Sequence, residues 1–335
     1  MKVSDRRALP RTGLELTVLG LGGAQIGGLY RPMENGVAAS IIDAAWSAGI
    51  RYFDTAPFYG YTRSERRVGA ALAQRDRDTF VLSTKVGRLM RPDATVTGFE
   101  DGYAEPMPFR PDYSYGYDAI MRSFEDSLQR LGLTRIDLLF VHDIGTVTHG
   151  ERADHHWRQL TEGGGFRALD ELRSAGLVRG VGLGVNEVAV VEAAMNEIDL
   201  DCTMLAGRYT LLEQDSLSML DRAARAGHAI VAAAPFNSGL LVGNGKFNYE
   251  DAPEGVVRRA EALAEVAREF DIPLPAAAIQ FPLAHPAVVT VNTGAHRPDQ
   301  IETSARWLET EIPAEFWSTL RQRGLIAADA PVPGQ

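Results

Sequence analysis

The sequence has a single cysteine, Cys202, in 335 residues. That excludes a disulfide within the chain and any multi-cysteine zinc or iron–sulfur site. Cys202 heads an apolar run with no basic neighbour in sequence, so it reads as a small buried hydrophobe rather than a nucleophile. Long apolar runs are also missing. Nowhere do about 18 apolar residues follow one another, which excludes a membrane-spanning helix. Residues 1–7 are charged and precede no apolar h-region, so they do not read as a secretory signal, and a soluble cytoplasmic protein is expected. Basic charge is in deficit. The 34 Lys and Arg against 44 Asp and Glu leave a net charge of −10. Such a surface repels nucleic-acid phosphate and anionic lipid, so neither partner is expected. No internal repeat and no low-complexity linker is visible, and residues 1–335 read as one domain. With 45% hydrophobic and 23% charged residues, the chain can build a large core.

Short apolar runs alternate with longer helical stretches. The runs lie at 18–21, 52–55, 80–85, 136–142, 181–185, 203–207, 230–234 and 288–291. Most are continuously apolar, as in parallel strands buried on both faces. Helical patterns fill the intervals at 36–48, 64–72, 117–131, 166–175, 187–198, 214–226, 254–270, 275–284 and 298–308. Ser64 followed by Glu65 reads as an N-cap and a charged first turn. Ile120, Phe124, Leu128 and Leu131 recur at helical spacing. Eight β–α units in one series predict a (β/α)8 TIM barrel. Residues 6–16, with Pro10 and Gly13 at a turn, predict a β-hairpin closing the barrel bottom. A doubly wound dinucleotide fold would want G-x-G-x-x-G after the first strand. The first glycine cluster, Gly20-Leu21-Gly22-Gly23-Ala24-Gln25, has Gln25 at the sixth position and fails that fingerprint.

Barrel chemistry sits at the C-terminal ends of the strands. Asp54 ends the second run, Lys85 the third and His142 the fourth, and Tyr59 follows Asp54 by five residues. In register, these four converge at one mouth. A phenol is a poor acid or base near neutral pH. An adjacent ammonium stabilises the phenolate, a carboxylate fixes the ammonium, and an imidazole N–H can hold a substrate oxygen. Such a set moves a proton at an oxygen while hydride moves at the attached carbon. Two long segments, 88–115 and 144–165, follow the third and fourth strands. The first carries Phe99, Tyr103, Phe109, Tyr113 and Tyr115, the composition of a pocket wall.

These residues carry a resemblance. The stretch 14–22, the block Tyr52-Phe53-Asp54-Thr55-Ala56-Pro57-Phe58-Tyr59-Gly60 with Ser64-Glu65, Ser83-Thr84-Lys85 and Val141-His142 are similar to aldo-keto reductases. The resemblance spans nearly the whole chain. It implies a (β/α)8 barrel and a nicotinamide cofactor held extended without a Rossmann motif. It implies Tyr59 as general acid/base, Lys85 tuning it, Asp54 holding Lys85 and His142 orienting the substrate oxygen. Asp54 also counts among the implied cofactor contacts. Asn186 matches the amide that holds the nicotinamide carboxamide. Phe236, Asn237, Ser238, Gly239 and Leu240 resemble the loop that wraps the pyrophosphate. Asn292, Gly294, His296, Arg297, Gln300 and Ser304 fall at the adenosine end. Val185, Ala206 and Ala233 stand where many members carry Ser, Gln and Tyr. The family's usual basic positions for a 2′-phosphate fall on the neutral Gly294 and Gln300, so NAD is expected, with Arg297 leaving NADP open. Residues 206–212, Asn292-Thr293-Gly294 and the tail 324–333 resemble the branch that oxidises D-threo-aldoses such as L-fucose, to which pyridoxal 4-dehydrogenases are similar. The implied partner is a small sugar, hemiacetal or aldehyde, and the sequence leaves the assembly open between monomer and dimer. A general aldehyde or ketone reductase and a non-catalytic nucleotide-binding regulator are the alternatives, and the intact tetrad argues against the second.

Other signals read as structural. His142, Asp143, His149, Asp154, His155 and His156 could suggest a metal site, but His155 and His156 are adjacent rather than at helix-face ligand spacing and the stretch has loop composition, so no metal is expected, and Trp157 reads as the anchor of a helical surface. Gly163-Gly164-Gly165 reads as a flexible lead into the next helix rather than a phosphate cradle.

Overall fold

The computed structural model describes residues 1–248 and 250–334. Eight strands close a parallel barrel in chain order: β1 (Leu19–Gly22), β2 (Tyr52–Asp54), β3 (Val81–Val86), β4 (Leu138–His142), β5 (Gly180–Val185), β6 (Cys202–Ala206), β7 (Ala229–Ala233) and β8 (Val288–Thr293), with β8 returning to β1. Every residue of β2, β3, β4, β5 and β8 is buried, which explains why these runs are apolar without alternation. The pleat sorts them into two cores. Tyr52, Val81, Leu138 and Phe140 fill the barrel, whereas Phe53, Leu82, Leu139 and Val141 face the helices. The same alternation carries Asp54, Ser83, Lys85 and His142 to the inside.

The outer layer is helical: α1 (Asn35–Ser47), α2 (Arg63–Leu72), α3 (Tyr117–Leu131), α4 (Gly165–Ser174), α5 (Val188–Ala194), α6 (Leu217–Arg225), α7 (Glu254–Glu269), α8 (Leu274–Gln280), α9 (Pro298–Glu309) and α10 (Ala314–Gln322). Helix α3 shows why they stay. Ile120, Phe124 and Leu131 are buried on one stripe, and full burial of such a side chain is worth about 1.5–3 kcal/mol. Gly132, at φ +63°, ends it in the left-handed conformation that other residues resist. Strands Arg6–Leu9 and Leu14–Thr17 pair antiparallel, and Leu9 and Leu16 join the inner core beside Tyr52, Val81 and Leu138, which open their strands. The hairpin thus plugs the N-terminal end of the barrel. No described helix is long and apolar enough to cross a membrane.

The structure corrects several local expectations. Ser64 does not cap α2; Thr62 precedes the helix at φ +85°, and the Ser64 hydroxyl donates to Gly23 O and accepts from Thr55 Oγ1. Glu65 is in the first turn but fully buried, accepting from Thr84 Oγ1 at 2.7 Å and from Arg130. Segment 88–115 is two antiparallel hairpins, Arg88–Pro92 with Phe109–Tyr113 and Phe99–Glu100 with Tyr103–Ala104. Segment 144–165 carries helices Thr146–His149 and Ala153–Leu160. The helix expected over 275–284 ends as α8 at Gln280, two residues before Pro282, and a 3-10 turn follows.

Candidate active site

At the C-terminal rim, register sets the neighbours: Asp54 opposite Ser83, Phe140 opposite Lys85 and His142 opposite Gly184. Lys85 Nζ donates to Asp54 Oδ2 at 2.7 Å and to Thr55 O at 3.0 Å. Ser83 Oγ donates to Asp54 Oδ1 at 2.7 Å, and the Tyr52 hydroxyl lies 2.9 Å from Ser83 Oγ. Gly184 makes room for the long side chain, since a Cβ there would stand 3.1 Å from Lys85 Cε. The ion pair is out of water, with Lys85 1% exposed and Asp54 2%. Burial pushes the ammonium pKa down and the carboxylate pKa up, and each charge opposes the shift of the other.

Tyr59 sits in the turn that leaves β2, where its N–H donates to Ala56 O. Its ring centroid is 4.6 Å from Lys85 Nζ and 5.7 Å from the His142 ring, which meets it edge-on at 85°. All four residues of the expected tetrad therefore share one rim. Burial, then the Arg88 and Lys85 charges, hold the His142 pKa well below the usual imidazole range, so the ring is neutral at pH 7. Phe58 meets His142 and Tyr103 edge-on, with centroids 6.1 and 5.6 Å apart, and makes an aromatic wall beside Tyr59.

Sequence reasoning missed Arg88 and gave Asp143 no role. Arg88 is 4% exposed, its guanidinium pairs with Asp143 Oδ2, and it lies 4.1 Å over the Phe58 ring. The available signal was an arginine just past a buried strand end, which needs a partner.

Asp54, Asn186, residues 236–240 and residues 292–297 lie at or just past the C-terminal ends of β2, β5, β7 and β8, and Gln300 and Ser304 lie on α9. Asn186 follows β5, and Arg208 Nε donates to its carbonyl at 2.7 Å. Past β7, Asn237, Ser238 and Gly239 take positive φ angles of 47°, 57° and 98° in succession. Phe236 packs edge-on against Trp307, and Leu240 is buried. Asn292 and Ser304 are buried, on β8 and α9. Among the described residues, atoms buried without a hydrogen-bond partner occur elsewhere, such as His228 Nδ1 and Trp317 Nε1, and near this end of the barrel they include Asn237 Oδ1, Asn292 Oδ1, Thr293 Oγ1, His296 Nδ1 and His142 Nδ1. Buried polar atoms are normally paired, so this set fits a polar ligand rich in donors and acceptors, as a nicotinamide dinucleotide is. Burial pushes the His296 pKa down to about 4. Gln300 Oε1 accepts from the N–H of His296 at 2.7 Å and of Arg297 at 3.3 Å, which caps α9. Arg297 is held by both oxygens of Asp299 at 3.0 Å. The Gln25 side chain lies against Gly294, where a Cβ would come 1.9 Å from its Oε1.

Three other readings can be placed. Cys202 is fully buried, and burial pushes its thiol pKa up, so it is not a nucleophile. Gly164, at φ +79°, leads into α4. Trp157 packs edge-on against Phe166, 5.9 Å between centroids.

The sequence profile of the aldo/keto reductase family matches residues 18–323. The chain belongs to that family. This aldo/keto reductase is 48% identical to pyridoxal 4-dehydrogenase of Microbacterium luteolum over 98% of its own length and 99% of the relative's. It is 39% identical to D-threo-aldose 1-dehydrogenase of a Pseudomonas species, over 96% and 98%. Among solved structures, the holo form of an aldo-keto reductase from Bacillus halodurans matches with a TM-score of 0.73 at 26% identity, covering 99% of this chain and 98% of that one. The aldo/keto reductase is an NAD(P)-dependent oxidoreductase on a (β/α)8 barrel.

Proposed function

We propose that this aldo/keto reductase oxidises a cyclic hemiacetal to a lactone with NAD as oxidant. The observation that carries the reading is the Tyr59 ring 4.6 Å from a buried ammonium, with a neutral imidazole beside it. Tyr59, as phenolate, takes the proton from the hydroxyl on the hemiacetal carbon, C1 of an aldose such as L-fucose. Lys85 favours that phenolate electrostatically, and Asp54 with Ser83 keeps the ammonium charged and aimed. The His142 N–H donates to the same oxygen as it becomes the lactone carbonyl. A bound nicotinamide would supply the acceptor for the hydride that leaves that carbon. Asn186 would hold its carboxamide, residues 236–240 the pyrophosphate, and Asn292, Gly294, His296, Arg297, Gln300 and Ser304 the adenosine. NAD rather than NADP is supported by the neutral Gly294 and Gln300 and by the engagement of Arg297 with Asp299.

Two observations favour pyridoxal, whose internal hemiacetal is flat, over an aldose. The identity to pyridoxal 4-dehydrogenase is 48% against 39% to the aldose enzyme. The wall beside Tyr59 is aromatic, suited to stacking. The enzyme then works as one barrel domain in the cytoplasm, as monomer or dimer. A panel of pyridoxal, L-fucose, L-galactose and D-arabinose, each with NAD and NADP, tests this. Pyridoxal with NAD should give the highest kcat/KM and a lactone product. Preference for L-fucose would restore the aldose reading, and reduction of simple aldehydes alone would reject hemiacetal oxidation.

A further inference from the structure

Asp143 stands directly after His142, in a left-handed backbone conformation with φ +42°. Aspartate tolerates that region better than most residues, yet it persists only where the surroundings over-determine it. Here they do. Its Oδ2 is paired with Arg88, which is 4% exposed and stacked on Phe58. Arg88 is itself aimed by the turn at Gly87, φ +101°, where a Cβ would come 2.2 Å from the Tyr115 ring. Tyr115 returns to the site, its hydroxyl 2.9 Å from His142 O. The backbone of His142 and the next side chain are both fixed, and Asp143 Oδ2 lies 3.5 Å from His142 Nε2.

We propose that Asp143, clamped by Arg88, is a positioning residue for His142: it sets the imidazole ring and keeps its proton on Nε2. A carboxylate beside one ring nitrogen selects the tautomer with the proton there. At 3.5 Å the contact is too long to consume that N–H in a full hydrogen bond. The donor is therefore oriented yet still available to the substrate oxygen. Lys85 and Arg88 are the cations facing the ring, and Asp54 and Asp143 are the anions paired with them; burial, then the two cations, keep the ring neutral. This rests on the donor role proposed for His142.

The test is a double-mutant cycle on the full-length enzyme, Asp143→Asn, His142→Ala and both together, with kcat, substrate KM, NAD affinity by fluorescence and melting temperature measured for each. Asparagine keeps the left-handed backbone and the shape and removes the charge. Asp143→Asn should lower kcat by about 10- to 100-fold, the scale of a misplaced catalytic group, with NAD affinity and KM little changed. In the His142→Ala background the same change should have almost no effect on kcat, because a positioning residue acts only through the group it positions. An equal loss in both backgrounds, or none in the parent, overturns the proposal. Full activity of His142→Ala alone refutes instead the role of His142 on which it rests. Should Asp143→Asn not fold with Arg88 left unpaired, Arg88→Met with Asp143→Asn removes both charges and carries the same expectations.

Discussion

Replacing Lys85 by Met would remove the charge next to Tyr59 while keeping an unbranched side chain. For unit charges separated by the 4.6 Å between Lys85 Nζ and the Tyr59 ring centroid, an effective dielectric constant of about 20 gives about 3–4 kcal/mol of attraction. At about 1.4 kcal/mol per factor of ten, losing it from a phenolate that must form costs about 10²- to 10³-fold in turnover. The substitution also leaves Asp54 buried with Ser83 as its remaining side-chain donor, and breaking such a pair costs about 3–5 kcal/mol of stability. The assay therefore includes Lys85→Met with Asp54→Asn, which removes both charges. NADH appearance at saturating substrate should fall by the same 10²- to 10³-fold scale in single and double variants, because Asp54 acts by holding Lys85. The double variant should recover much of the lost denaturation free energy. Turnover of both variants should keep rising with pH after the parent has levelled, since hydroxide then forms the phenolate that the ammonium no longer favours. A double variant within about tenfold of the parent, with unchanged NAD affinity, would refute the assignment of Lys85.

Tyr59→Phe should cut turnover by at least about 10²-fold, the scale of lost acid–base catalysis, with NAD still bound as judged by fluorescence titration. Asp299→Asn should free Arg297 and improve NADP binding relative to NAD, read as the ratio of dissociation constants. Gln300→Arg should shift the same ratio toward NADP but lower stability by about 1 kcal/mol, because the cap on α9 is lost. Burial pushes the His228 pKa down to about 4, so unfolding takes up a proton below the ordinary imidazole range near 6.5. Stability should thus be full above pH 6.5 and decline as pH falls toward 4, and denaturant titrations of His228→Gln should show a shallower decline.

The barrel was legible because strands buried on both faces are written as unbroken apolar runs, and all eight appear within a few residues of where those runs lie. The convergence of the candidate site residues was legible for the converse reason: Asp54, Lys85 and His142 interrupt or end such runs with ionisable groups. Tertiary partners hid the rest. Ser64 reads as a cap until Gly23 and Thr55 claim its hydroxyl. Arg88 and Asp143 are 55 positions apart and meet only because β3 and β4 are neighbours. The hairpins in 88–115 join residues some distance apart through backbone groups, which proline- and aromatic-rich composition does not announce.

Leu9 and Leu16 make the cylinder a blind cup. In the proposed reaction the lactone could not drain through the floor and would leave past the lip where the hemiacetal enters. Product and substrate would then share one doorway, so release of product depends on the aromatic rim as well as on the proton-transfer step beneath it.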